Sequence, residues 1–179
     1  VLAVAMAGQF WIIQSQPKRT IDVRVFQEDA SRALLSGRNP YAISFPNIYP
    51  DDRFYGPGIV RDGRITFFPY PPLSLLAVLP GYLLGDVRYA NLAALAGSCI
   101  LLAATGRRLG VSAGSTYELI TVALALQIDT HVIIALGWTE PFLALGVTAC
   151  GYALATGRRL LLCLSLAWIV AIKQYGFLW

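Results

Sequence analysis

Long apolar blocks without charge constrain this chain more than any other feature of its sequence. Residues 142–155 and 160–172 contain no charged side chain. A membrane-spanning helix needs about 20 mostly apolar residues, with a lower limit near 17, and several blocks approach that length once their flanks are included. Only 13% of the residues are charged, against roughly 25% in typical soluble domains. These features predict an all-α, polytopic integral membrane protein.

The apolar blocks also predict the organisation of the chain. Both ends lie within apolar sequence, so we interpret residues 1–179 as one transmembrane module of a longer chain. Residues 16–66 form the one large polar loop, while 67–105 are apolar but broken, and whether 71–85 spans the membrane or is re-entrant stays open. Membrane helices are expected at 1–15, 117–138, 141–156 and 160–179.

Two arginine pairs indicate an orientation for these helices. Arg107-Arg108 and Arg158-Arg159 each follow the sequence Ala-Thr-Gly. Basic residues at helix ends favour the cytoplasmic side, and we prefer an external 16–66 loop because it gathers the unusual polar residues on the opposite side. The basic residues do not form a continuous face, so the net charge of +4 does not indicate a nucleic-acid partner.

The loop has a pattern of its own. Residues 22–36 predict an amphipathic helix beside the membrane, since their apolar side chains follow the i, i+3, i+4 spacing of one helix face. Gly37 is suited to end that helix. Farther along, Asp62-Gly63 is the two-residue turn signal of a β-hairpin. The apolar face consists of Val23, Phe26, Ala30, Ala33 and Leu34.

Ionisable residues near or inside membrane helices are costly, which makes them candidates for function. Asp22 is either an N-cap or first-turn acid that stabilises its helix or a general base at the membrane surface. Glu140 is either a helix-start acid or a ligand for sugar hydroxyls. Lys173 either extends to the interface or pairs with a lipid phosphate. His131, which more often would be a solvated turn residue, completes the set.

One stretch of the loop has the pattern of a known family. Ile21-Asp22-Val23 opens the predicted helix, residues 37–41 read Gly-Arg-Asn-Pro-Tyr, and residues 69–73 read Pro-Tyr-Pro-Pro-Leu. This arrangement resembles the membrane GT-C glycosyltransferases, in particular the branch that uses polyprenyl-phosphate-mannose. The resemblance covers residues 21–73, and the later helices match only in style. It implies a GT-C-like N-terminal transmembrane module with a long first external loop.

The resemblance also implies a function. The chain would transfer a mannose-like sugar from a polyprenyl-phosphate donor to a lipid or glycan acceptor, with inversion and without metal or other cofactor, at the plasma membrane of a bacterium or archaeon. Asp22 would be the general base, and Lys173 or Arg24 would stabilise the leaving phosphate. The alternative is a non-enzymatic transporter or lipid-handling scaffold. The side chains expected to shape the sugar site are Asn39, Tyr41, His131 and Glu140.

Overall fold

The computed structural model describes residues 2–16, 21–50, 52–111 and 116–173. These ranges are mainly helical, with one small sheet in the segment between α2 and α3. The helices are α1 (Leu2–Ser15), α2 (Asp22–Leu35), α3 (Pro72–Leu83), α4 (Arg88–Arg108), α5 (Thr116–Leu126), α6 (Ile128–Leu136), α7 (Glu140–Thr156) and α8 (Arg159–Ile172), and the strands are β1 (Phe45–Pro46), β2 (Val60–Arg61) and β3 (Arg64–Ile65).

The prediction of a polytopic membrane protein with a GT-C-like transmembrane module is wrong. Within the described ranges, α4 is the one helix long and apolar enough to cross a membrane, and 44% of its apolar window is buried inside the protein. The bent pair α5–α6 passes the same test only when both helices are counted as one span. The described part of the chain therefore has one candidate membrane-spanning helix, which does not support a multi-pass location.

The reason lies in where the helices end. The apolar helices α1, α3 and α8 contain 14, 12 and 14 residues. At about 1.5 Å per residue they fall short of a hydrocarbon core about 30 Å thick. The apolar blocks of the sequence reached spanning length only with their flanks, and the flanks that the structure describes form caps and turns. Residues 174–179 of the helix expected at 160–179 lie outside the described residues. Gly157, for example, ends α7 in the left-handed conformation.

The helix expected at 117–138 is also interrupted. α5 and α6 meet at an angle of 48°, because Gln127 between them has an extended backbone, with φ −61° and ψ 147°. The hydroxyl of Thr130 donates a 2.8 Å hydrogen bond to the Leu124 carbonyl across the break. This side chain satisfies a carbonyl that a continuous helix would have bonded through its backbone. Neither glycine nor proline marks this break in the sequence.

The amphipathic helix predicted at 22–36 is confirmed as a helix, α2, while its place beside a membrane stays a prediction. Its apolar face packs within the protein: Phe26, Ala30 and Ala33 are buried. The core around this face joins α2 to the sheet, to α3 and α4, and to the ends of α7 and α8. The 16–66 segment is therefore part of the main core in its described portion. The buried members of this core are Phe26, Ala30, Phe45, Ile65, Phe68, Leu75, Val78, Val87, Ala90, Ala94, Phe142 and Ile172.

The Asp62-Gly63 hairpin is confirmed as well. Both residues have positive φ, 50° and 68°, as a two-residue hairpin turn of type I′ requires. β2 and β3 pair antiparallel on either side of this turn. β1 then pairs with β3 and gives the strand order β1-β3-β2. The sequence analysis, which predicted an all-α fold, did not predict β1, which has only two residues.

α3 and α4 approach each other closely at Gly81. A Cβ placed there would lie 2.7 Å from both the Ala90 nitrogen and the Val87 carbonyl oxygen. We expect Gly81→Ala to lower the free energy of unfolding by about 1–3 kcal/mol, since the start of α4 must move. At Gly151, within α7, no atom lies within 4 Å of such a Cβ. Gly151→Ala should raise the free energy of unfolding by about 0.5–1 kcal/mol. Denaturant unfolding measures both, and changes of the same sign would contradict this packing.

Candidate active site

Asp22 is the first residue of α2, and its carboxylate is held by two tyrosines from the following loop. The Tyr55 hydroxyl donates to Oδ2 at 2.9 Å, and the Tyr49 hydroxyl donates to Oδ1 at 3.2 Å. The Val23 backbone N–H also donates to Oδ1, at 2.8 Å. The N-cap of α2 is Ile21, which makes no side-chain cap bond. Asp22 is thus a first-turn acid with a fixed orientation, and it does not occupy the N-cap position.

The two carboxylate oxygens of Asp22 are used unequally. Oδ1 accepts two of these hydrogen bonds and Oδ2 accepts one. Each carboxylate oxygen has about two lone-pair sites. Among the described residues, Oδ2 therefore retains a site that can accept one more hydroxyl hydrogen. This is the geometry that a general base needs before a substrate arrives.

Both tyrosines are kept in the protonated, donating form. Burial raises the pKa of Tyr55, and its hydrogen bond to Asp22 and the negative charge there raise the pKa further. Burial and the Asp22 charge likewise raise the pKa of Tyr49. The two rings also contact each other, with centroids 5.9 Å apart. The tyrosines fix the carboxylate and do not compete with it for the role of base.

A pocket lies beside the start of α2. Its volume is about 270 Å³, and Val23, the neighbour of Asp22 in sequence, forms part of its wall. Glu140, which begins α7, also lines the pocket and forms an ion pair with Lys173, which follows α8. The structure thus brings two of the predicted site residues into direct contact. The lining residues are Val23, Tyr70, Trp138, Thr139, Glu140 and Lys173.

The turn between α6 and α7 gives the pocket its shape. Gly137 ends α6 in the left-handed conformation, with φ 75°, and α7 starts three residues later at Glu140. The Asn91 side chain of α4 donates a 2.7 Å hydrogen bond to the Trp138 carbonyl. The Phe142 N–H donates to the Thr139 carbonyl at 3.1 Å. Backbone contacts therefore hold Trp138 and Thr139 in the turn, and both residues line the pocket.

Arg24 belongs to a buried ion-pair cluster close to this turn. It is 5% exposed and bonds Glu28 at 2.7 Å and Asp86 at 3.1 Å. Arg88, which is fully buried, bonds the same Asp86 carboxylate at 2.7 Å. Burial alone would raise the pKa of Asp86, but the hydrogen bonds from Arg88 and the charge of Arg24 outweigh this and lower it. Arg24 is therefore already paired with Glu28 and Asp86 inside the protein. The sequence analysis, which placed Arg24 at a leaving phosphate, did not predict these ion pairs.

Arg88 connects three helices. Besides Asp86, its guanidinium donates to the Ile13 carbonyl of α1 at 2.8 Å and to the Ala135 carbonyl of α6 at 3.1 Å. In the sequence, Asp86 and Arg88 are two of the residues that break the apolar stretch 67–105. The sequence nevertheless indicates that these two side chains are paired, because two opposite charges two residues apart inside an apolar segment are costly unless they form an ion pair.

The remaining predicted site residues lie outside the pocket lining. The Asn39 side chain accepts a 2.9 Å hydrogen bond from the Tyr41 N–H and so caps the short 3₁₀ turn Pro40–Ala42. The Tyr41 hydroxyl donates to the Tyr70 carbonyl at 2.7 Å, which supports a pocket residue. His131 lies on α6, where its Nδ1 is 2.5 Å from the Gln9 Nε2 of α1. Of these three residues, only Tyr41 has a direct link to the pocket.

The comparisons with known proteins leave the site to be interpreted from its own geometry. No protein-family model, curated protein or solved structure matches the chain. Within the described ranges, no group of three or more His, Cys, Asp or Glu side chains could hold a metal ion. What the described site offers chemically is one oriented carboxylate, one carboxylate–ammonium pair and a pocket with two aromatic walls.

Proposed function

We propose that this protein is a glycosyltransferase that moves a mannose-like sugar from a polyprenyl-phosphate donor to a lipid or glycan acceptor, with Asp22 as general base. The observation that carries the proposal is the Asp22 carboxylate. Tyr49 and Tyr55 fix its orientation, Oδ2 keeps a site for a hydroxyl hydrogen, and the residue after Asp22 lines the pocket that contains the Glu140–Lys173 ion pair. The resemblance of residues 21–73 to the polyprenyl-phosphate-mannose-dependent enzymes points to the same residue.

The proposed reaction is a single displacement. Asp22 Oδ2 takes the proton of the acceptor hydroxyl as that oxygen attacks the anomeric carbon. The bond between the anomeric carbon and the phosphate oxygen breaks, and the polyprenyl phosphate leaves with the electron pair. Negative charge develops on the leaving phosphate, and a nearby cation stabilises it. We assign that role to Lys173, because it lines the pocket, whereas Arg24 lies outside the pocket lining and is paired with Asp86 and Glu28.

The lipid donor also implies where the protein acts. A polyprenyl chain stays in a bilayer, so the proposal requires the active site to reach a membrane surface. The candidate membrane-spanning helix α4 begins at Arg88, directly beside the ion-pair cluster near the pocket. A single span at this point would hold the site at the bilayer edge. We propose the plasma membrane of a bacterium or archaeon as its location.

A non-enzymatic role remains as the alternative, because one observation favours it. The 48° break between α5 and α6 is the kind of discontinuous helix that transporters use to bind substrates. A transporter or a lipid-handling scaffold would bind its substrate and release it unchanged. The two functions therefore differ in whether a covalent bond of the donor is broken.

The test of the proposal is a transfer assay with the full-length protein. We expect polyprenyl-phosphate-mannose to be consumed in the presence of a lipid or glycan acceptor, with release of polyprenyl phosphate and formation of a mannosylated product. A nucleotide-linked mannose should not serve as donor, since the family that residues 21–73 resemble uses a polyprenyl-phosphate donor. Mass spectrometry of the lipid and acceptor pools measures both. Binding of the lipid donor with no product would support the alternative.

A further inference from the structure

Two polar atoms at the pocket have no hydrogen-bond partner. Trp138 Nε1 and Thr139 Oγ1 are both buried, and neither bonds to any other described residue. Burying a donor or acceptor without a partner costs about 1–3 kcal/mol. Native structures contain few such groups, and each one calls for an explanation. Both of these lie on adjacent residues that line the same pocket.

Thr139 is unusual in a second way. It is the N-cap residue of α7, where a threonine side chain commonly accepts a hydrogen bond from the first turn. Here the backbone has φ −87° and ψ 4°, and the side chain makes no cap bond. Thr139 is also fully buried. Its hydroxyl therefore serves neither the helix nor the solvent, and Thr139 is one of the residues that line the pocket.

The chemistry of the pocket narrows the class of ligand. Tyr70 and Trp138 provide aromatic surface, and Glu140 and Lys173 form an ion pair, so the described lining carries no net charge. A volume of about 270 Å³ lies just below the range of about 300–1,000 Å³ found for drug-sized ligands. The pocket thus suits one neutral ring that carries several hydroxyl groups.

We propose that Trp138 and Thr139 hold the hydroxyl groups of a single sugar ring in this pocket. The indole N–H donates to one ring oxygen, and the Thr139 hydroxyl donates to or accepts from a neighbouring hydroxyl. This inference rests on the proposed function, because it identifies where the transferred sugar sits. It adds two binding residues that neither the sequence motifs nor the resemblance identified.

The test measures binding of free D-mannose, D-glucose and D-galactose to the full-length protein by calorimetry. At least one of these sugars should bind, and Thr139→Val and Trp138→Phe should each weaken its affinity about 3–10-fold, the value of one neutral hydrogen bond. Thr139→Val should leave the melting temperature unchanged or higher, because valine replaces a buried hydroxyl that has no partner.

Matched controls come from residues whose polar atoms are already bonded. Thr148 Oγ1 donates to the Ala144 carbonyl at 2.8 Å, and Trp168 Nε1 donates to the Phe142 carbonyl at 2.8 Å. Thr148→Val and Trp168→Phe should keep the sugar affinity of the wild type. Equal losses of affinity in test and control variants would overturn the inference.

Other outcomes separate this inference from the proposed function. The protein could bind a sugar less tightly in Thr139→Val and Trp138→Phe and yet show no transfer activity. That result would support the sugar site in the pocket and refute the proposed glycosyltransferase function. Active transfer with unchanged sugar affinity in both variants removes the pocket assignment alone. Binding of inorganic phosphate and of none of the three sugars overturns the inference, as does a lower melting temperature for Thr139→Val with unchanged sugar affinity.

Discussion

Asp22→Asn should reduce sugar transfer by about 10²–10⁴-fold, the usual contribution of a general base, while the protein remains folded. Asparagine fits the same contacts, because its carbonyl can accept from the Val23 N–H and Tyr49 hydroxyl that now meet Oδ1. Its NH₂ group can donate to the Tyr55 oxygen, since a phenol both donates and accepts. The substitution therefore removes the proton acceptor and keeps the local structure. Initial rates with the polyprenyl-phosphate donor, together with the melting temperature, measure the two effects.

Asp29→Asn is the matched control for this substitution. Asp29 lies on the same helix and pairs with the exposed Arg32 at 2.9 Å, and surface pairs of this kind contribute about 0–1 kcal/mol. Glu28 is less suitable because it bonds the buried Arg24. Transfer at the wild-type rate by Asp22→Asn would remove the base assignment. A dead Asp29→Asn enzyme with an active Asp22→Asn enzyme would move the base to position 29.

Arg88→Met should lower the free energy of unfolding by about 3–5 kcal/mol, as expected when one partner of a buried ion pair is removed. The Asp86 carboxylate loses its shortest ion-pair contact. The Ile13 and Ala135 carbonyls lose the guanidinium that connects α1 and α6 to α4. Methionine retains much of the apolar length of the arginine stem, so the loss reports mainly on charge and hydrogen bonding. Denaturant unfolding of the purified protein measures it.

Arg107→Met provides the comparison within the same helix. Arg107 is exposed in the last turn of α4, where a cation contributes about 0.3–1 kcal/mol through the helix dipole. The two substitutions remove the same side chain from opposite ends of α4. A loss at Arg88 no larger than the loss at Arg107 would show that the cluster with Asp86 does not hold α1, α4 and α6 together.

The local elements of the fold could be predicted from the sequence where the signal was short-range. The apolar spacing of residues 22–36 identified α2, and Asp62-Gly63 identified the hairpin turn, because each pattern fixes its structure within a few residues. Glu140 and Lys173 were both selected as costly charges in apolar surroundings. Their ion pair could not be predicted, since it depends on how the start of α7 packs against the end of α8.

The number of membrane spans could not be read from hydropathy alone. Apolar blocks mark helices that bury surface, but the same composition serves a membrane span and the core of a helical protein. The break at Gln127, which has neither glycine nor proline beside it, shortened one expected helix. The pocket residue Thr139 was overlooked because an N-cap threonine is ordinary in sequence, and only the structure shows that its hydroxyl makes no cap bond.

The anomeric configuration of the product tests the central claim, that Asp22 acts as a base in a single displacement, most directly. The product of the transfer assay, isolated and examined by NMR, should carry the sugar with its configuration inverted relative to the donor. An acceptor oxygen that attacks the anomeric carbon from the face opposite the phosphate gives inversion. A carboxylate that attacks the sugar itself gives two displacements and retention, as in the retaining glycosidases. Inversion is the result we predict, and a product with retained configuration would contradict the role of Asp22 as a base.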